Sequence, residues 1–341
     1  MALSLVGYRQ FFNSTVYSLI EKMKDLEADP IFSLYGEQGH NTNTGDTVNF
    51  TSNSLSGYAP VVVPGGDIPE ASITEGDALA RTYFSIKDFM KVEYEAYFHN
   101  KLDEMLERAA DLVERSMKTA ALTLSGQLLN NVGATTQVVP GNITQTISCG
   151  DTLAPSSASH TVPGKAGTTY SNTLASLGAL SDSNLDVLEQ QVKQNNVDDS
   201  GTNHPFTADV LIVPDNATMI KKALQLTGST LSPETANNAI NIYRGGRLDV
   251  VVLKEAPRAV DGSYSTAKQY YWAIGSKKLI KRAFKYRWAI QPSQVKQGGI
   301  VPKFQDKNLD SSIYTFGRLV FGMPRWNGIG YSLSVTKPTI S

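Results

Sequence analysis

The chain has 341 residues, and its 31 lysines and arginines balance 32 aspartates and glutamates to a formal net charge of −1, which excludes a protein built to coat nucleic acid. Its one cysteine, Cys149, excludes an intrachain disulfide framework and fits a reducing cytoplasm. No apolar run approaches the length of a membrane span, and the N-terminus lacks the pattern of a secretory signal.

The first predicted element is a short amphipathic helix that ends near Asp29-Pro30, because the residue before a proline disfavours helix. Two interpretations stay open, since it lies outside the main core in sequence: it packs on its own subunit, or it is an arm that packs on a neighbour. Its apolar positions are Phe12, Val16, Leu19, Ile20, Met23 and Leu26.

Residues 36 to 80 are dominated by glycine, threonine, asparagine and serine. One strand is predicted over Thr47–Thr51 and a second extended piece over roughly Leu79–Ile86, with a proline- and glycine-rich turn region between them. This pattern predicts a long two-stranded finger with too little apolar surface for its own core. Because an isolated hairpin is marginal in water, we expect the finger to rest on a neighbouring subunit. The side chains expected at that contact are Val48, Phe50, Leu55 and Tyr58.

A strand is predicted over Val92 to Phe98, with helix as the alternative, and it leads into a long helix over residues 100 to 132. Asn100 is a suitable N-cap and Gly133 a suitable stop. At 1.5 Å per residue this helix is roughly 45–50 Å long. One face carries an apolar stripe, so we expect a flat surface against it. The stripe consists of Leu102, Met105, Leu106, Ala109, Leu112, Val113, Met117, Ala120, Leu124 and Leu128.

Residues 134 to 173 form a polar stretch that is long for a structureless loop. Disorder is one interpretation. Val138-Val139 and the alternating residues Ile143 to Ile147 favour a small hairpin instead.

From Ser181 onward helices and strands alternate, which is typical of a compact α/β or α+β unit. The tail, Ile313 to Val335, is aromatic and rich in strand formers, and we expect it to pair with the strands that lie on the long helix. Helices are predicted over Asp182–Asn195 and Asn216–Leu226, the latter with Met219, Ile220 and Leu224 inward, and strands over Ala208–Val213, Leu248–Leu253, Tyr270–Gly275 and Phe284–Ile290.

No catalytic or cofactor-binding constellation is visible in the sequence. Walker A, dinucleotide-binding and GxSxG patterns are missing, and the four histidines are scattered without forming HExxH or a Cys/His cluster. Ser293 to Lys296 matches SxxK, but its companion motifs are missing. The sequence therefore predicts no enzyme, no cofactor and no metal site.

One basic cluster interleaves with the aromatic residues of the last of these strands. It could be a nucleic-acid surface, or a strand with one wet basic face and one buried aromatic face, and we favour the second interpretation. The residues of the possible inner basic surface are Lys281, Arg282, Lys285 and Arg287, with Lys277 and Lys278 nearby.

The order of these parts resembles the major capsid protein of tailed bacteriophages, which has the HK97-type fold. Gly45 to Phe50 is similar to the first strand of the extended E-loop, and Ala78 to Tyr83 to its return. The resemblance implies an α+β fold with the following divisions: an N-terminal arm (1–35), an E-loop (36–80), a P domain with a spine helix (81–133), an A domain with a flexible insertion at 134–173 (134–291) and a β tail of the P domain (292–341).

For function, the resemblance implies an icosahedral shell of hexamers and pentamers around double-stranded DNA, assembled in a bacterial cytoplasm. Its partners would be further copies of the chain, portal and scaffolding proteins, a possible cement protein and weakly contacted DNA. The arm helix begins by about Arg9, so we expect no long scaffolding segment before it in this numbering. Residues 36 to 80 contain no lysine, so the Lys–Asn crosslink of some family members is excluded from that loop.

Two other functions stay open beside the capsid subunit. An encapsulin, a cellular shell of similar fold that packs protein cargo, shares the architecture. An enzyme with an unrecognised site is the second alternative, and it would form small oligomers with a turnover.

Overall fold

A computed structural model describes residues 29–38, 46–55, 67, 73–92, 102–174, 178–229, 241–243, 245–290, 300–305 and 310–340. Of these, only the backbone is described at 53–55, 90–92, 102–110, 300–305 and 310–314. The predicted arm helix at 12–26 and most of the predicted strand at 92–98 lie outside the described residues.

The described elements confirm the predicted α+β class. The helices are α1 (Pro30–Leu34), α2 (Leu102–Ser125), α3 (Asp182–Asn195), α4 (Ala217–Gly228) and α5 (Lys277–Ala283). The strands are β1 (Gly36–Glu37), β2 (Thr47–Phe50), β3 (Asn53–Leu55), β4 (Ile73–Glu75), β5 (Leu79–Thr82), β6 (Phe84–Val92), β7 (Thr136–Val139), β8 (Ile143–Thr146), β9 (Val210–Pro214), β10 (Asp249–Leu253), β11 (Trp272–Gly275), β12 (Lys285–Ile290), β13 (Ile300–Gln305), β14 (Asp310–Gly322) and β15 (Ile329–Ser332). A π-helical turn, Gly126–Asn130, follows α2, and a 3-10 turn covers Thr266–Lys268.

The chain divides into two compact units. The first comprises residues 1–33, 82–121 and 286–320, and the second comprises 34–81, 122–285 and 321–341.

The first unit is built on the long strand β14. β6 pairs with it antiparallel from Ser311↔Val92 to Leu319↔Phe84, β13 pairs antiparallel from Ile300↔Thr315 to Gln305↔Asp310, and β12 is a further neighbour of β14. Three buried side chains from different elements, Ile86, Ala120 and Leu319, form a shared core cluster. The sheet is the flat surface that the apolar stripe of α2 predicts.

The described part of α2 carries the predicted stripe. Leu112, Val113, Met117 and Ala120 are buried, and Ser116 Oγ hydrogen-bonds Thr315 Oγ1 at 2.7 Å. On the outer side Glu114 pairs with Lys118 at 2.6 Å, an acid one turn before a base, which is the favoured order in a helix. Arg115 pairs with Asp88 of β6 at 3.3 Å.

Helical structure after α2 ends at Asn130 rather than at the predicted residue 132, and its last turn is a π turn. A π turn breaks the regular i→i−4 ladder, so carbonyl groups need other donors. Gln137 Nε2 donates to Thr123 O at 3.0 Å, and the Tyr35 hydroxyl donates to Leu124 O at 2.9 Å. A side chain at Gly126 would overlap the Gln137 amide, so this close approach requires glycine.

The second unit contains a four-stranded sheet in the order β10-β9-β11-β15. β10 and β9 are parallel, while β11 runs antiparallel to both β9 and β15. β9 is buried along its whole length, in agreement with its run of apolar residues. Leu188 of α3, Met219 of α4 and Trp272 of β11 belong to one buried cluster.

Helices α3 and α4 of this unit begin at side-chain caps. Ser181 Oγ accepts from Asn184 N at 3.2 Å, and Asn216 Oδ1 accepts from Thr218 N at 2.9 Å. The prediction for α4 is wrong at Leu224, which is 57% exposed. Leu226, two positions later, is the buried residue, because it continues the face that Met219 and Ala223 begin.

The polar stretch at 134–173 contains the predicted hairpin, formed by β7 and β8. Gly141 and Asn142 both have positive φ at its turn, a conformation for which these residue types are suited. His160 and Tyr170 then form a two-way backbone bridge. The segment therefore has ordered local structure.

The predicted pairing of the C-terminal tail is wrong for its last strand. β14 pairs with β6 as expected, but β15 pairs with β11 in the second unit, from Trp272↔Ser332 to Gly275↔Ile329. Gly330 explains the close packing there, since a side chain at this position would overlap Val192 of α3.

Candidate assembly surfaces

The finger consists of two short ladders that follow one another. The inner ladder pairs β2 with β5, and the outer ladder pairs β3 with β4 from Asn53↔Glu75 to Leu55↔Ile73. The predicted two-stranded finger is therefore present in the described residues.

The inner ladder is anchored in its own subunit. Val48 is 1% exposed and Phe50 is fully buried. Gly322 and Leu79 lie against Phe50, because a Cβ on Gly322 would sit 2.8 Å from one Phe50 ring carbon and 3.0 Å from a Leu79 methyl. The prediction that Val48 and Phe50 contact a neighbouring subunit is thus corrected: their surface is already covered by the chain to which they belong.

The outer ladder presents a different surface. Ile73 is 66% exposed, although isoleucine is among the residues most often buried in folded proteins. The backbone of Leu55 pairs with that of Ile73, while the Leu55 side chain and all of Tyr58 lie outside what is described. Their assignment to an intersubunit contact stays a prediction.

Among lysine, arginine, aspartate and glutamate, residues 36 to 80 contain acidic residues only. They contain no lysine or arginine and carry the acidic residues Glu37, Asp46, Asp67, Glu70, Glu75 and Asp77. The finger therefore repels other acidic surfaces and attracts basic ones.

The basic cluster is not the single strand that we expected. Lys277, Lys278, Lys281 and Arg282 lie on helix α5, whose inner face buries Ile280 and Ala283, and only Lys285 and Arg287 lie on strand β12. Lys281 and Arg282 are exposed, Lys285 is half-buried and Arg287 is 9% exposed. The four residues of the predicted inner basic surface therefore differ too much in exposure to act as one wet face.

A cleft of about 810 Å³ lies beside α5 in the second unit. Lys278, Arg282, Lys285 and Arg325 line it, together with polar residues that include Ser52 at the start of the outer ladder. No local sequence pattern indicates this cleft, because its lining comes from widely separated segments. We call it the basic cleft.

The carboxylates close to the basic cleft are already engaged. Asp199 pairs with Arg325. Asp198 Oδ2 lies 2.8 Å from His204 Nε2, and Asp198 Oδ1 accepts hydrogen bonds from Ser200 and Thr202. Burial opposes ionisation of Asp198, but the hydrogen bonds from Ser200, His204 and Thr202 outweigh it and hold its pKa below the ordinary value.

Three cations of the cleft are not paired with these carboxylates. Lys278, Arg282 and Lys285 make no ion pair or hydrogen bond with any residue that the structure describes. Burial, with the adjacent charges of Arg282 and Arg325, lowers the pKa of Lys285. The cleft is therefore an electropositive site whose positive charge is not balanced within the described chain.

A second polar cluster corrects the expectation that no Cys/His cluster forms. The fold brings donor atoms of Cys149, Asp151 and His160 within 4.8 Å of one another. His160 Nδ1 lies 2.7 Å from Asp151 Oδ2, the His160 ring stacks on Trp326 at 4.7 Å, and Cys149 Sγ lies 3.4 Å from Met323 Sδ. Burial raises the pKa of the Cys149 thiol, with Asp151 adding to the rise.

Asp151 accounts for the geometry of this cluster. Its carboxylate accepts hydrogen bonds from the backbone N–H groups of Leu153 and Thr161 and also faces His160, so it connects the two ends of the loop that carries the cluster.

The other predicted positions do not join this cluster. His204 pairs with Asp198, and His40, His99 and the SxxK residues 293–296 lie outside the described residues.

Within the part of the chain that the structure describes, no helix is both long enough and apolar enough to cross a membrane. No protein-family model matches the sequence, and no curated protein matches it significantly.

Solved structures of phage proteins are similar to the chain at low sequence identity. A chain titled Gordonia phage Cozz is 11% identical with a TM-score of 0.48, and the match covers 89% of this chain and 85% of that one. A chain from the capsid structure of the cyanophage P-SCSP1u is 12% identical with a TM-score of 0.47, covering 87% and 85%. A chain from the capsid of Ralstonia phage GP4 is 14% identical with a TM-score of 0.47, covering 87% and 86%.

Proposed function

We propose that the chain is the major capsid protein of a tailed bacteriophage, with the HK97-type fold. Many copies would assemble into hexamers and pentamers of an icosahedral shell around double-stranded DNA. The role is structural and needs no catalytic residue. In this proposal the finger is the E-loop, α2 is the spine helix of the P domain, and the α/β unit is the A domain.

The observation that carries the proposal is the contrast within the finger. Its inner ladder is anchored by Phe50, whereas its outer ladder exposes Ile73 and belongs to a segment that has six acidic residues and no lysine or arginine. Such an extension buries little surface in its own subunit, so a repeated contact with neighbours is the economical use for it. Each contact can be weak, because closure of a shell multiplies it.

Partners beyond further copies of the chain are part of the same proposal. A portal and a scaffolding protein would act during assembly in the bacterial cytoplasm, and a cement protein could strengthen the finished shell. Contact with packaged DNA would be weak and without sequence preference, because the chain as a whole is nearly neutral.

The test is assembly of the purified protein, alone and with its scaffold. We expect capsomers or closed shells by sedimentation and negative-stain electron microscopy. A protein that stays a compact monomer at high concentration under both conditions would contradict the proposal. Analysis of particles isolated from cells separates the alternatives: packaged DNA supports the capsid, and packaged protein cargo supports an encapsulin.

A further inference from the structure

The basic cleft needs an anionic occupant. Exposed cations such as Lys278 and Arg282 can be solvated by water, but Lys285 is half-buried beside Arg282 and Arg325. Desolvating a cation next to other cations is unfavourable unless a negative group joins them. The nearby carboxylates Asp198 and Asp199 already bind His204 and Arg325, so they do not supply it.

We propose that the basic cleft of one subunit binds the acidic segment between β3 and β4 of a second copy, with Asp67 and Glu70 of that copy as the partners of Lys278, Arg282 and Lys285. This inference rests on the proposed self-assembly and names the site at which the finger docks. It assigns the cleft a protein carboxylate rather than a small-molecule substrate.

Charge complementarity within the chain supports this occupant. The finger has no basic residue to compete for its own carboxylates, and the cleft has three cations without a described acidic partner. A cleft of about 810 Å³ is of the size that holds a small ligand or a few side chains, which suits the end of a loop.

The same geometry argues that the finger comes from another copy. In the outer ladder Leu55 pairs with Ile73 at the end remote from Ser52, and Ser52 lines the cleft. The chain therefore leaves the ladder at the end away from its own cleft. A finger given to one neighbour and a cleft offered to another is a head-to-tail contact, which forms a ring when the rotation between copies closes.

Nucleic acid is the less favoured occupant. Asp198 lies among the cleft-lining residues, and the Asp199 carboxylate accepts from the Ser52 hydroxyl at 3.3 Å, so negative groups stand beside the cations. A polyphosphate carries more negative charge into the cleft than one or two carboxylates do, so these groups repel it more strongly. Duplex DNA binding is an outcome of the test below.

The first experiment reverses charge on both sides of the contact. Lys278→Glu/Arg282→Glu should abolish assembly in a folded subunit, as should Asp67→Lys/Glu70→Lys, and combining all four should restore it. Lys281→Glu is the matched control, because Lys281 is exposed on the same helix and does not line the cleft. If the cleft variant does not fold by thermal unfolding, the neutral pair Lys278→Gln/Arg282→Gln replaces it.

Assembly at the wild-type level by the cleft variant would overturn the proposal. So would loss of assembly in both variants without rescue by the combination, because the two sites would then act independently. Equal loss with Lys281→Glu would show a general charge effect and would also overturn it.

The second experiment separates this inference from self-assembly itself. A labelled peptide of residues 60–72 is titrated onto unassembled subunits at low ionic strength. We expect binding that weakens with added salt and is at least tenfold weaker for the cleft variant and for a peptide with Asp67→Asn/Glu70→Gln. If shells never form but the peptide binds in this way, the proposed function fails and the inference stands.

A peptide that does not bind, or binds equally to both subunits, would refute the inference even if shells form. Inorganic phosphate and a short DNA duplex are run in parallel. Tight duplex binding that the cleft variant loses, without binding of the peptide, would assign the cleft to nucleic acid instead.

Discussion

The two ladders of the finger differ in how they are held. In the inner ladder Val48, Phe50 and Leu79 are each at most 6% exposed, so its strands belong to the core of their unit. In the outer ladder Ile73 is 66% exposed. The comparison places the edge of the folded unit between them, near Ser52 and Gly76. We therefore expect changes in the inner ladder to alter the stability of the subunit, and changes in the outer ladder to alter its association with other subunits.

Deletion of Asn53 to Glu70 should have the largest effect on assembly. It removes β3 and the segment beyond it while leaving Phe50 and the inner ladder in place. We expect a folded, soluble subunit with a thermal transition close to wild type, and no stable shells by electron microscopy. Unfolding of the subunit would show that the outer ladder is part of the fold, and normal shells would show that it is dispensable.

Phe50→Ala should have the largest effect on stability. The ring is fully buried against Leu79 and the Gly322 backbone, so truncation leaves a cavity and costs about 3–5 kcal/mol. Ile73→Ala is the control, and we expect less than about 0.5 kcal/mol because the side chain is exposed. Urea unfolding of the unassembled subunit measures both. Similar costs for the two variants would remove the distinction between the ladders.

Gly76→Ala tests the edge itself. Gly76 N donates to Ser52 O at 2.7 Å, and a Cβ at this position would overlap Ser52 Oγ and lie 2.8 Å from Asp199 Cγ. The two strands must then separate, which should cost about 1–3 kcal/mol. Gly228→Ala, where a Cβ has open space, should leave stability unchanged or slightly increased. An unchanged urea midpoint for Gly76→Ala would mean that this close approach is not maintained in solution.

Hydrophobic periodicity in the sequence correctly predicted helices and strands whose burial follows from neighbouring residues in the chain. The stripe that includes Leu112 and Met117 identified α2, and the apolar run around Ile212 identified β9. The burial of Phe50 depends on Gly322, more than two hundred residues away, so the pattern of the finger alone could not reveal it. Pairing of β15 with β11 is equally long-range.

The basic cluster was misassigned for a local reason. The alternation of aromatic and basic residues from Phe284 predicts a strand, and the interpretation as one wet basic face placed Lys281 and Arg282 on the same face as Lys285 and Arg287. The helical signal was present, because Ile280 and Ala283 are three residues apart and Ser276 is of a type that favours the N-cap position. The basic cleft itself required the fold, since Lys278, Arg325 and Ser52 come together only in three dimensions.

Asp77→Asn should have the smallest effect, and its sign is opposite to that of the other changes. Asp77 follows Gly76 at the edge between the ladders, where burial, Asp151 and Asp199 raise its pKa above the ordinary 3.8. A raised carboxyl pKa means that ionisation is less favourable in the folded state. The penalty is absent below the unfolded pKa, grows as pH rises toward the folded pKa, and is complete above it.

Removing the charge should therefore stabilise the subunit at neutral pH by less than about 1 kcal/mol, since Asp77 is partly exposed and solvent screens the repulsion. The gain should disappear when unfolding is measured below pH ~4. Asp67→Asn removes the same charge from an exposed position beyond the outer ladder and should change stability at neither pH. A gain that persists in acid, or one shared by Asp67→Asn, would show that the repulsion at the edge is not its cause.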